Sequence, residues 1–531
     1  MPARPKTITE TLDHVLEVDP QRLALKGPSG VLSYEELDAA ANKAAAALRE
    51  MGVAQGDRVA ACLPNDLDIV IAFHGTMRLG AIWVGLNRAL AVPEKEALLA
   101  EATPTVFLAD PDTASAHEGR WPVVRVDPSD PASSWAMALS AVTGAPRPPS
   151  PDPEAPAGIA FTSGTTGLPK GIVHSQRNLL LAATAIATTR NYDETLRKGD
   201  CLALTILNLQ VLTTLLTTAA GGCCILTDRR DARGVAQWLA RESVNVWNGV
   251  PAILYSMVHD EGIDPGLLSG LREVWTGGAA CPEDLYRAFE ARFGIQLRQS
   301  YGLTEAPTVV TMERVGDHHI PGSSGRPLPH LEVVIRDDAG RDLPPKELGE
   351  IVVRGTRRGP WASVYTPMTG YWHRDRLEPF EGDELYTGDV GYLDDAGNLF
   401  VKDRKKLVIL RGGANVYPAE VERVIEAVPG VRGSAVLGIP DPRLGQRVVA
   451  AIEVDQGFAL SPQDLIEHCR GQLARYKVPE AIVIVDSLPR NAMGKVQRAQ
   501  LGELFDLDRP APPGAALPGA DSSVISGANG S

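Results

Sequence analysis

The sequence predicts an α/β fold, in which a large N-terminal domain of layered helices and sheets precedes a small α+β C-terminal domain. Two observations carry this prediction. Short apolar runs, of the kind that is buried on both faces of a parallel sheet, alternate with amphipathic helical stretches along most of the chain. Beyond Asp403 the pattern changes to a compact alternation of helices and strands over roughly 100 residues, the size of a small domain.

The first clear helix begins at a capping box. Ser33 can accept a hydrogen bond from the backbone of Glu36, and Glu36 can return one to Ser33. Apolar residues then recur at helical spacing as far as Leu48, and Gly52 stands where a helix would end. Buried strands are expected after it at residues 58–63, 105–108, 203–206, 244–247 and 273–275.

The C-terminal region has its own order of elements. Pro418 can occupy the first turn of a helix that ends near Gly430. Strands are expected at residues 434–439, 448–454 and 481–485, with a second amphipathic helix over residues 465–473. The tail is rich in Pro, Gly, Ala and Ser and is predicted to be disordered. We therefore expect domains at residues 1–402 and 403–508, with a disordered tail at 509–531.

Composition narrows the class of function. The chain has 531 residues and a formal net charge of -14, which argues against a general nucleic-acid binder because such a protein needs a basic surface. Its six cysteines are scattered, and the first residues lack the apolar segment of a signal peptide, so a cytoplasmic protein is expected. Residues 201–227 are uncharged and long enough to span a bilayer, but their threonines and paired glycines favour a buried helix followed by a buried strand.

The most informative segment is residues 162–171, in which three glycines and four hydroxyl side chains surround one lysine. Glycines let backbone N–H groups converge on an anion, and hydroxyls add neutral donors, so the segment predicts a phosphate-binding loop. Pro before the lysine and Gly after it exclude the Walker pattern. The alternative is a surface loop without a binding function, but the apolar residues on both sides of the segment favour a turn between two strands. The candidate phosphate ligands are Thr162, Ser163, Gly164, Thr165, Thr166, Gly167 and Lys170.

Four further segments complete a pattern: residues 299–305 (Gln-Ser-Tyr-Gly-Leu-Thr-Glu), 386–389 (Tyr-Thr-Gly-Asp), 403–406 (Asp-Arg-Lys-Lys) and 489–495 (Pro-Arg-Asn-Ala-Met-Gly-Lys). In this order the five segments resemble the adenylate-forming superfamily of acyl-CoA synthetases, luciferases and peptide-synthetase adenylation domains. The resemblance implies that a carboxylate attacks the α-phosphorus of ATP and that a thiol then displaces AMP. Two unit anions about 4 Å apart repel by roughly 4 kcal/mol at an effective dielectric near 20, so cations and oriented donors are required.

The resemblance also implies roles for particular residues. The phosphate loop would hold the β- and γ-phosphates, Thr304 would contact the α-phosphate, and Glu305 would bind Mg²⁺. Asp389 and Arg404 would hold the ribose, because an ionised Asp accepts from both hydroxyls. Tyr301 would stack on adenine. The remaining nucleotide-site candidates are Ser300, Gly302, Gly278 and Ala279; for the last two, a plain turn at a helix start is the alternative.

In this family a small mobile C-terminal domain rotates between the two half-reactions. Lys495 would bridge the attacking carboxylate and the α-phosphate, since Lys is a compact charge on a flexible stem. Lys406 matches the hinge, and Gly412 and Gly413 would line a tunnel for the pantetheine arm. A solvated lysine is the plain alternative for Lys495, and its sequence context favours the catalytic role.

The acid and the acceptor remain open at this point. Many acyl- and aryl-CoA synthetases have Phe-His where this chain has Leu207 and Asn208, and amino-acid adenylation domains have an Asp there, so an amino acid is disfavoured. The acyl pocket would draw on Asn208, Trp247, Asn248 and Gly249, although an aromatic at a strand end is often core. The prediction is an ATP-dependent acid-CoA ligase with ATP, Mg²⁺ and CoA. The alternatives are a ligase that loads a separate carrier protein and a catalytically silent nucleotide-binding relative; a homodimer is one of the quaternary states left open.

Overall fold

The computed structural model describes residues 5–162, 170–277, 281–411, 414–441, 444–455, 457–490 and 494–505. The chain divides into two compact units, Met1–Lys406 and Leu407–Ser531. The division falls slightly after residue 402, where the sequence places the domain boundary. Residues 403 and 404 stay with the first unit because they continue a strand that pairs within it. No described helix is long and apolar enough to cross a membrane.

The first unit contains the helices α1 (Asp13–Val18), α2 (Tyr34–Glu50), α3 (Leu67–Arg78), α4 (Val92–Ala102), α5 (Pro111–His117), α6 (Ser134–Ala141), α7 (Gln176–Thr189), α8 (Leu207–Leu209), α9 (Leu216–Ala220), α10 (Ala232–Arg241), α11 (Pro251–His259) and α12 (Glu283–Phe293). A π-helical segment, Gln210–Leu215, joins α8 to α9.

Its strands are β1 (Leu23–Gly27), β2 (Gly30–Ser33), β3 (Arg58–Cys62), β4 (Ile82–Gly85), β5 (Val106–Ala109), β6 (Val123–Arg125), β7 (Pro156–Thr162), β8 (Lys170–Ser175), β9 (Arg197–Asp200), β10 (Cys223–Leu226), β11 (Val246–Asn248), β12 (Glu273–Thr276), β13 (Leu297–Tyr301), β14 (Thr311–Met312), β15 (Arg326–Pro327), β16 (Leu331–Arg336), β17 (Gly349–Gly355), β18 (Gly370–His373), β19 (Arg376–Pro379), β20 (Glu384–Leu393) and β21 (Leu399–Arg404).

These strands form three sheets among the described residues. A nine-stranded sheet has the order β15-β14-β13-β12-β11-β9-β10-β1-β2, and an eight-stranded sheet has the order β19-β18-β8-β7-β4-β3-β5-β6. A four-stranded antiparallel sheet, β16-β17-β20-β21, completes the unit. The largest apolar core joins both large sheets to α2, α3 and α7, through residues such as Trp83, Phe73 and Leu179. The expected layered α/β architecture is thereby confirmed.

The second unit contains the strands β22 (Ile409–Arg411), β23 (Ala414–Val416), β24 (Val431–Asp441), β25 (Gly445–Val454) and β26 (Ala481–Val485), with the helices α13 (Pro418–Glu426) and α14 (Pro462–Gln472). β24 and β25 pair antiparallel over most of their length, and β26 joins β25 in parallel. Apolar side chains of both helices pack on this sheet, including Val421, Ile425 and Cys469. This is the predicted small α+β domain.

The capping box at the start of α2 is confirmed. The backbone N–H of Glu36 donates to Ser33 Oγ at 3.2 Å, and the backbone N–H of Ser33 donates to Glu36 Oε2 at 2.8 Å. The uncharged stretch at residues 201–227 also has the expected form, since a buried helical segment runs to Ala220 and the buried strand β10 follows.

One expected strand is wrong. Residues 203–206 form a turn, in which the N–H of Ile206 donates to the carbonyl of Ala203 at 2.9 Å. The strand at this place in the sheet is β9, whose residues are polar. Burial of β9 is tolerated because Lys198 and Asp200, both with fully buried side chains, form an ion pair at 3.3 Å. Apolar patterning alone therefore placed the strand a few residues too late.

Candidate active site

Two of the phosphate-loop candidates, Thr162 and Lys170, lie at the loop end of a hairpin. β7 and β8 pair antiparallel, and the last pair in register is Thr162 with Lys170. The two flanking strands are thus present as expected, whereas the connection between them, with Ser163, Gly164, Thr165, Thr166 and Gly167, lies outside the described residues. Lys170 is exposed, and its Nζ lies 5.6 Å from the ring centroid of Tyr371 on β18. A cation therefore stands at the mouth of the hairpin, over an aromatic face.

A buried histidine fixes the segment that follows β13 to the same hairpin. His174 lies on β8, four residues after Lys170 and on the same face of the strand. Its Nε2 lies 2.6 Å from the carbonyl oxygen of Thr304. Burial lowers the pKa of His174 to about 4, so the ring is neutral near pH 7 and donates from Nε2. Thr304 and the adjacent Glu305 are held beside the phosphate hairpin by this bond.

The carboxylate of Asp389 is buried, and two side chains bind to its oxygens. The hydroxyl of Tyr301 donates to Asp389 Oδ2 at 2.6 Å, and Arg404 Nε lies 2.7 Å from Asp389 Oδ1. Asp389 on β20 and Arg404 on β21 are partners in register, which explains the ion pair. Gly388 before it has φ of +71°, a left-handed conformation that glycine adopts without strain. Burial raises the pKa of Asp389, and Arg404 opposes that shift.

Backbone packing is tight around the residues on β13. A Cβ atom on Gly302 would lie 1.7 Å from the carbonyl oxygen of Thr308, so no larger residue fits there. Ser300 Oγ donates to the carbonyl of Thr276, the last residue of β12, at 3.3 Å. Gly278 and Ala279, which follow β12 and its neighbour Gly277, lie outside the described residues. At the carboxyl ends of β12 and β13, the described backbone is therefore closely packed and can form the floor of a ligand crevice.

Glu305 is the candidate metal ligand. It is half-buried, and its negative charge contributes to the raised pKa values of Tyr371 and Asp389. Among the described residues, no three His, Cys, Asp or Glu side chains are grouped to enclose a metal. A single carboxylate nevertheless suits Mg²⁺, which commonly takes one or two protein carboxylates and completes its shell with water and substrate phosphates.

The acyl-pocket candidates lie at the carboxyl ends of β9 and β11. Asp200 Oδ2 accepts hydrogen bonds from Lys198 Nζ, Thr213 Oγ1 and Asn248 Nδ2, at 3.3, 2.7 and 2.9 Å. Asn248 Oδ1 is buried and has no hydrogen-bond partner in the described part of the chain. Polar groups are therefore concentrated next to the π-helical segment, on the face of β11 that carries Asn248.

The other acyl-pocket candidates differ in their surroundings. Asn208 is half-buried at the start of the helical segment. Gly249 hydrogen-bonds the carbonyl of Trp275 on β12 at 2.8 Å. Trp247 is fully buried in a cluster of apolar side chains that includes Leu254 and Trp238. Trp247 therefore lies in the apolar core, which is the alternative to a pocket wall that the sequence left open.

In the second unit, Lys495 is exposed after Gly494. The ends of this segment are tied together, because the N–H of Gln497 donates to the carbonyl of Pro489 at 2.8 Å and Arg490 donates to the carbonyl of Gly494 at 3.1 Å. Gly412 and Gly413 lie outside the described residues. Lys406 is the last residue of the first unit, and its pKa is lowered by partial burial and by the charge of Arg404.

Sequence reasoning missed three contributors: His174, Tyr371 and the pair Lys198–Asp200. His174 had a usable signal, because a histidine four residues after the loop lysine shares its face of a strand. Tyr371 had no such signal, because its partner Lys170 is far away in the sequence. The ion pair of Lys198 and Asp200 had none either, because it lies in a polar run that is typical of an exposed segment.

Comparison with known proteins agrees with this geometry. The AMP-binding enzyme family matches residues 12–372, and the AMP-binding enzyme C-terminal domain matches residues 420–495. The long-chain-fatty-acid–CoA ligase FadD13 of Mycobacterium tuberculosis is 33% identical over 494 residues, which cover 90% of this chain and 94% of that protein. The fatty acid–[acyl-carrier-protein] ligase ScoC of Streptomyces coeruleorubidus is 32% identical, with 94% and 96% covered.

A solved structure is similar as well. The ATP-bound MatB of Rhodopseudomonas palustris matches with a TM-score of 0.84 and 28% identity, covering 94% of this chain and 99% of that one. The chain therefore belongs to the AMP-binding enzymes, the adenylate-forming family.

Proposed function

We propose that this enzyme is an ATP-dependent carboxylic acid–CoA ligase, an acid–thiol ligase that works through an acyl-adenylate. The observation that carries the proposal is the buried Asp389 carboxylate, held by Tyr301 and Arg404 in the unit that also holds the phosphate hairpin. A carboxylate that accepts from several donors at a nucleotide site is suited to two ribose hydroxyls. Relatives over almost the whole chain join acids to thiols, which supports the same class of reaction here.

The reaction has two balanced steps. An oxygen of the acid bonds to the α-phosphorus of ATP, and the bond from that phosphorus to the pyrophosphate oxygen breaks. The sulfur of the thiol then bonds to the acyl carbon, AMP leaves with the oxygen, and the thiol proton passes to solvent. Both steps place negative charge next to negative charge, so fixed donors and cations supply the stabilisation.

The described residues have matching roles. Thr162 and Lys170 at the hairpin mouth hold the β- and γ-phosphates together with the loop between them, and Thr304 contacts the α-phosphate. Asp389 and Arg404 bind the ribose. Tyr301 stacks on adenine, and the tight backbone at Ser300 and Gly302 supports it. Gly278 and Ala279, which lie outside the described residues, are the remaining candidates for the nucleotide site.

Glu305 is the proposed Mg²⁺ ligand, and the ion would neutralise phosphate charge when bound. We expect Glu305→Gln to raise the Mg²⁺ concentration needed for tight ATP binding, measured by calorimetry without any acid present. Asp389→Asn is the matched control, since it weakens ATP binding through the ribose and leaves the dependence on Mg²⁺ unchanged. If ATP binding depended equally on Mg²⁺ in wild type and in Glu305→Gln, Glu305 would not be the Mg²⁺ ligand.

Lys495 is the proposed catalytic lysine, which contacts the carboxylate and the α-phosphate during adenylation. Lys406 is the proposed hinge, and Gly412 and Gly413 line the proposed path for the pantetheine arm. The small unit would thus serve both half-reactions in turn, with residues 403–406 at the end of the first unit as the link.

CoA is the proposed acceptor, as for the relative FadD13. A separate carrier protein is the second candidate, because ScoC, named for that acceptor, is almost as similar to this chain. The pocket candidates Asn208, Asn248 and Gly249 place polar groups near the acid, and a fatty, cyclic or aryl acid remains to be distinguished. The cytoplasmic location expected from the sequence stays a prediction, and a homodimer is one of the quaternary states that the sequence left open.

The deciding experiment is pyrophosphate release across a panel of fatty, cyclic and aryl acids, each with CoA, with a phosphopantetheinylated carrier protein, or with neither. We expect acid-dependent release and formation of an acyl-CoA. Transfer to the carrier alone would select the second candidate. No release with any acid, from a protein that binds ATP, would support the silent relative instead.

A further inference from the structure

The strand that carries Asp389 is irregular at the place where Asp389 stands. In the pairing of β17 with β20, Glu350 faces Val390. Val352, two residues further along β17, faces Tyr386, which lies four residues back along β20. The surplus residues form a bulge in β20 that includes Asp389. Because a bulge re-aims side chains and interrupts the ladder of hydrogen bonds, the direction of this carboxylate depends on what holds the bulge in place.

Side chains bind the backbone of this bulge. The hydroxyl of Thr387 donates to the carbonyl of Ile351 at 2.8 Å and accepts the backbone N–H of Asp389 at 3.1 Å. Glu350 Oε1 accepts the backbone N–H of Gly388 at 3.2 Å. The polar backbone groups that the bulge takes out of the ladder are thus satisfied by side chains.

The other oxygen of Glu350 reaches β21, the neighbouring strand. Lys405 Nζ lies 3.0 Å from Glu350 Oε2, and Lys405 directly follows Arg404, the ion-pair partner of Asp389. Lys405 also lies 2.9 Å from Asp338, but the side chain of Asp338 is 92% exposed, and ion pairs in water contribute little. The side chain of Glu350 is only 16% exposed, so Glu350 is the partner that fixes Lys405.

Glu350 therefore binds one neighbour of each member of the pair formed by Asp389 and Arg404. Gly388 precedes the carboxylate in the chain, and Lys405 follows the guanidinium. Both contacts involve a charged group, which makes them stronger than hydrogen bonds between neutral groups. A single carboxylate thus limits how far the two strands can shift where the pair is formed.

The carboxylate of Asp389 has capacity for a ligand. Tyr301 donates to Oδ2, and Arg404 pairs with Oδ1. An ionised carboxylate has about four acceptor sites, so it can accept two ribose hydroxyls as well. Hydrogen bonds weaken steeply as their angle closes, and both oxygens must therefore point at the hydroxyls.

We propose that Glu350 is a positioning residue of the ribose site, which aims the Asp389 carboxylate at the two hydroxyls by holding Gly388 and Lys405. The proposal rests on the proposed function, since it takes Asp389 to bind the ribose. Glu350 acts through Asp389 and makes no contact with the nucleotide. Its loss should weaken recognition of the hydroxyls and leave recognition of the phosphates and the base unchanged.

The test compares ATP with 2′,3′-dideoxy-ATP, which lacks both ribose hydroxyls, on the full-length protein. The dissociation constants of the two nucleotides are measured by calorimetry with Mg²⁺ and without any acid. Their ratio reports the hydroxyl contacts, because contacts with the phosphates and the base are common to both. We expect Glu350→Ala to lower the preference for ATP by about fivefold, equivalent to about 1 kcal/mol, which is ordinary for groups in one hydrogen-bond network.

Three further variants complete the experiment. Glu350→Gln keeps an acceptor for the N–H of Gly388 and should retain part of the preference. Glu332→Gln is the matched control, because Glu332 pairs with Arg354 at 3.0 Å on the same four-stranded sheet, and it should keep the wild-type ratio. In an Asp389→Ala background, Glu350→Ala should change the ratio no further.

A wild-type ratio in Glu350→Ala would overturn the proposal. An equal fall in Glu332→Gln, or a further fall in the Asp389→Ala background, would do the same. If Glu350→Ala does not fold, Glu350→Gln and Lys405→Met decide, because each removes only the ion pair. Both should lower the ratio, and a wild-type ratio in both would reject the role.

Failure of the proposed function has a different signature. In that case wild type would bind the two nucleotides equally or not at all, and it would release no pyrophosphate with any acid. A wild type that prefers ATP and activates acids, with an unchanged ratio in Glu350→Ala, leaves the proposed function intact and rejects the role of Glu350 alone.

Discussion

Replacement of His174 tests how the α-phosphate segment is positioned. His174→Ala removes the donor to the carbonyl of Thr304, a 2.6 Å bond from a side chain that is 1% exposed. This contact is partly buried, and a carbonyl left there without a donor costs at most about 1–3 kcal/mol, which the segment avoids by moving towards water. Since about 1.4 kcal/mol corresponds to a factor of ten in rate, we expect adenylation to slow by roughly tenfold or more.

The assay is acid-dependent exchange of pyrophosphate into ATP, compared with the reaction of a preformed acyl-adenylate with CoA. Exchange should fall, and the second reaction should change little. His174→Gln is the matched variant, because its amide nitrogen can replace Nε2 and should restore much of the rate. Equal exchange rates in wild type and His174→Ala, with unchanged melting temperatures, would refute the positioning argument.

Further predictions concern the two lysines and one buried carboxylate. Lys495→Ala should abolish pyrophosphate exchange and spare thioester formation from a preformed acyl-adenylate; equal loss of both would refute its role. Lys406→Pro should do the reverse if residue 406 is the hinge, and an unchanged thioester-forming step would count against it. Burial raises the pKa of Asp68 to about 6, so its ionisation lowers stability as the pH rises through that value. Asp68→Asn, which can still accept from Trp135, should therefore raise the free energy of unfolding at pH 7 by up to about 3 kcal/mol, with a gain that shrinks towards pH 5 in denaturant titrations.

Local signals in the sequence predicted local structure well. The capping box of α2 depends on two residues three positions apart, and α13 begins at Pro418, the residue expected in its first turn. β9 was misplaced because its stability depends on Thr213 and Asn248, which the chain brings to Asp200 from 13 and 48 residues away. Polar residues read as exposed until their partners are known.

The candidate site divides in the same way. Tyr301, Thr304, Glu305 and Asp389 lie in recognisable motifs, so a resemblance finds them. The contacts that orient these residues lie outside the motifs. His174 meets Thr304 across 130 residues, so this pair leaves no pattern in a single sequence.

Two polar contacts connect the three sheets of the first unit at the site. His174 to Thr304 joins the eight-stranded sheet to the segment after β13, and Tyr301 to Asp389 joins β13 to the four-stranded sheet. Apolar packing of Ile172, Leu303 and Val353 already holds these parts together. Loss of either hydrogen bond should then cost little of the global stability and much of the alignment between α-phosphate and ribose. Variants at His174 and Tyr301 are therefore expected to separate activity from stability, which variants of the apolar cluster would not do.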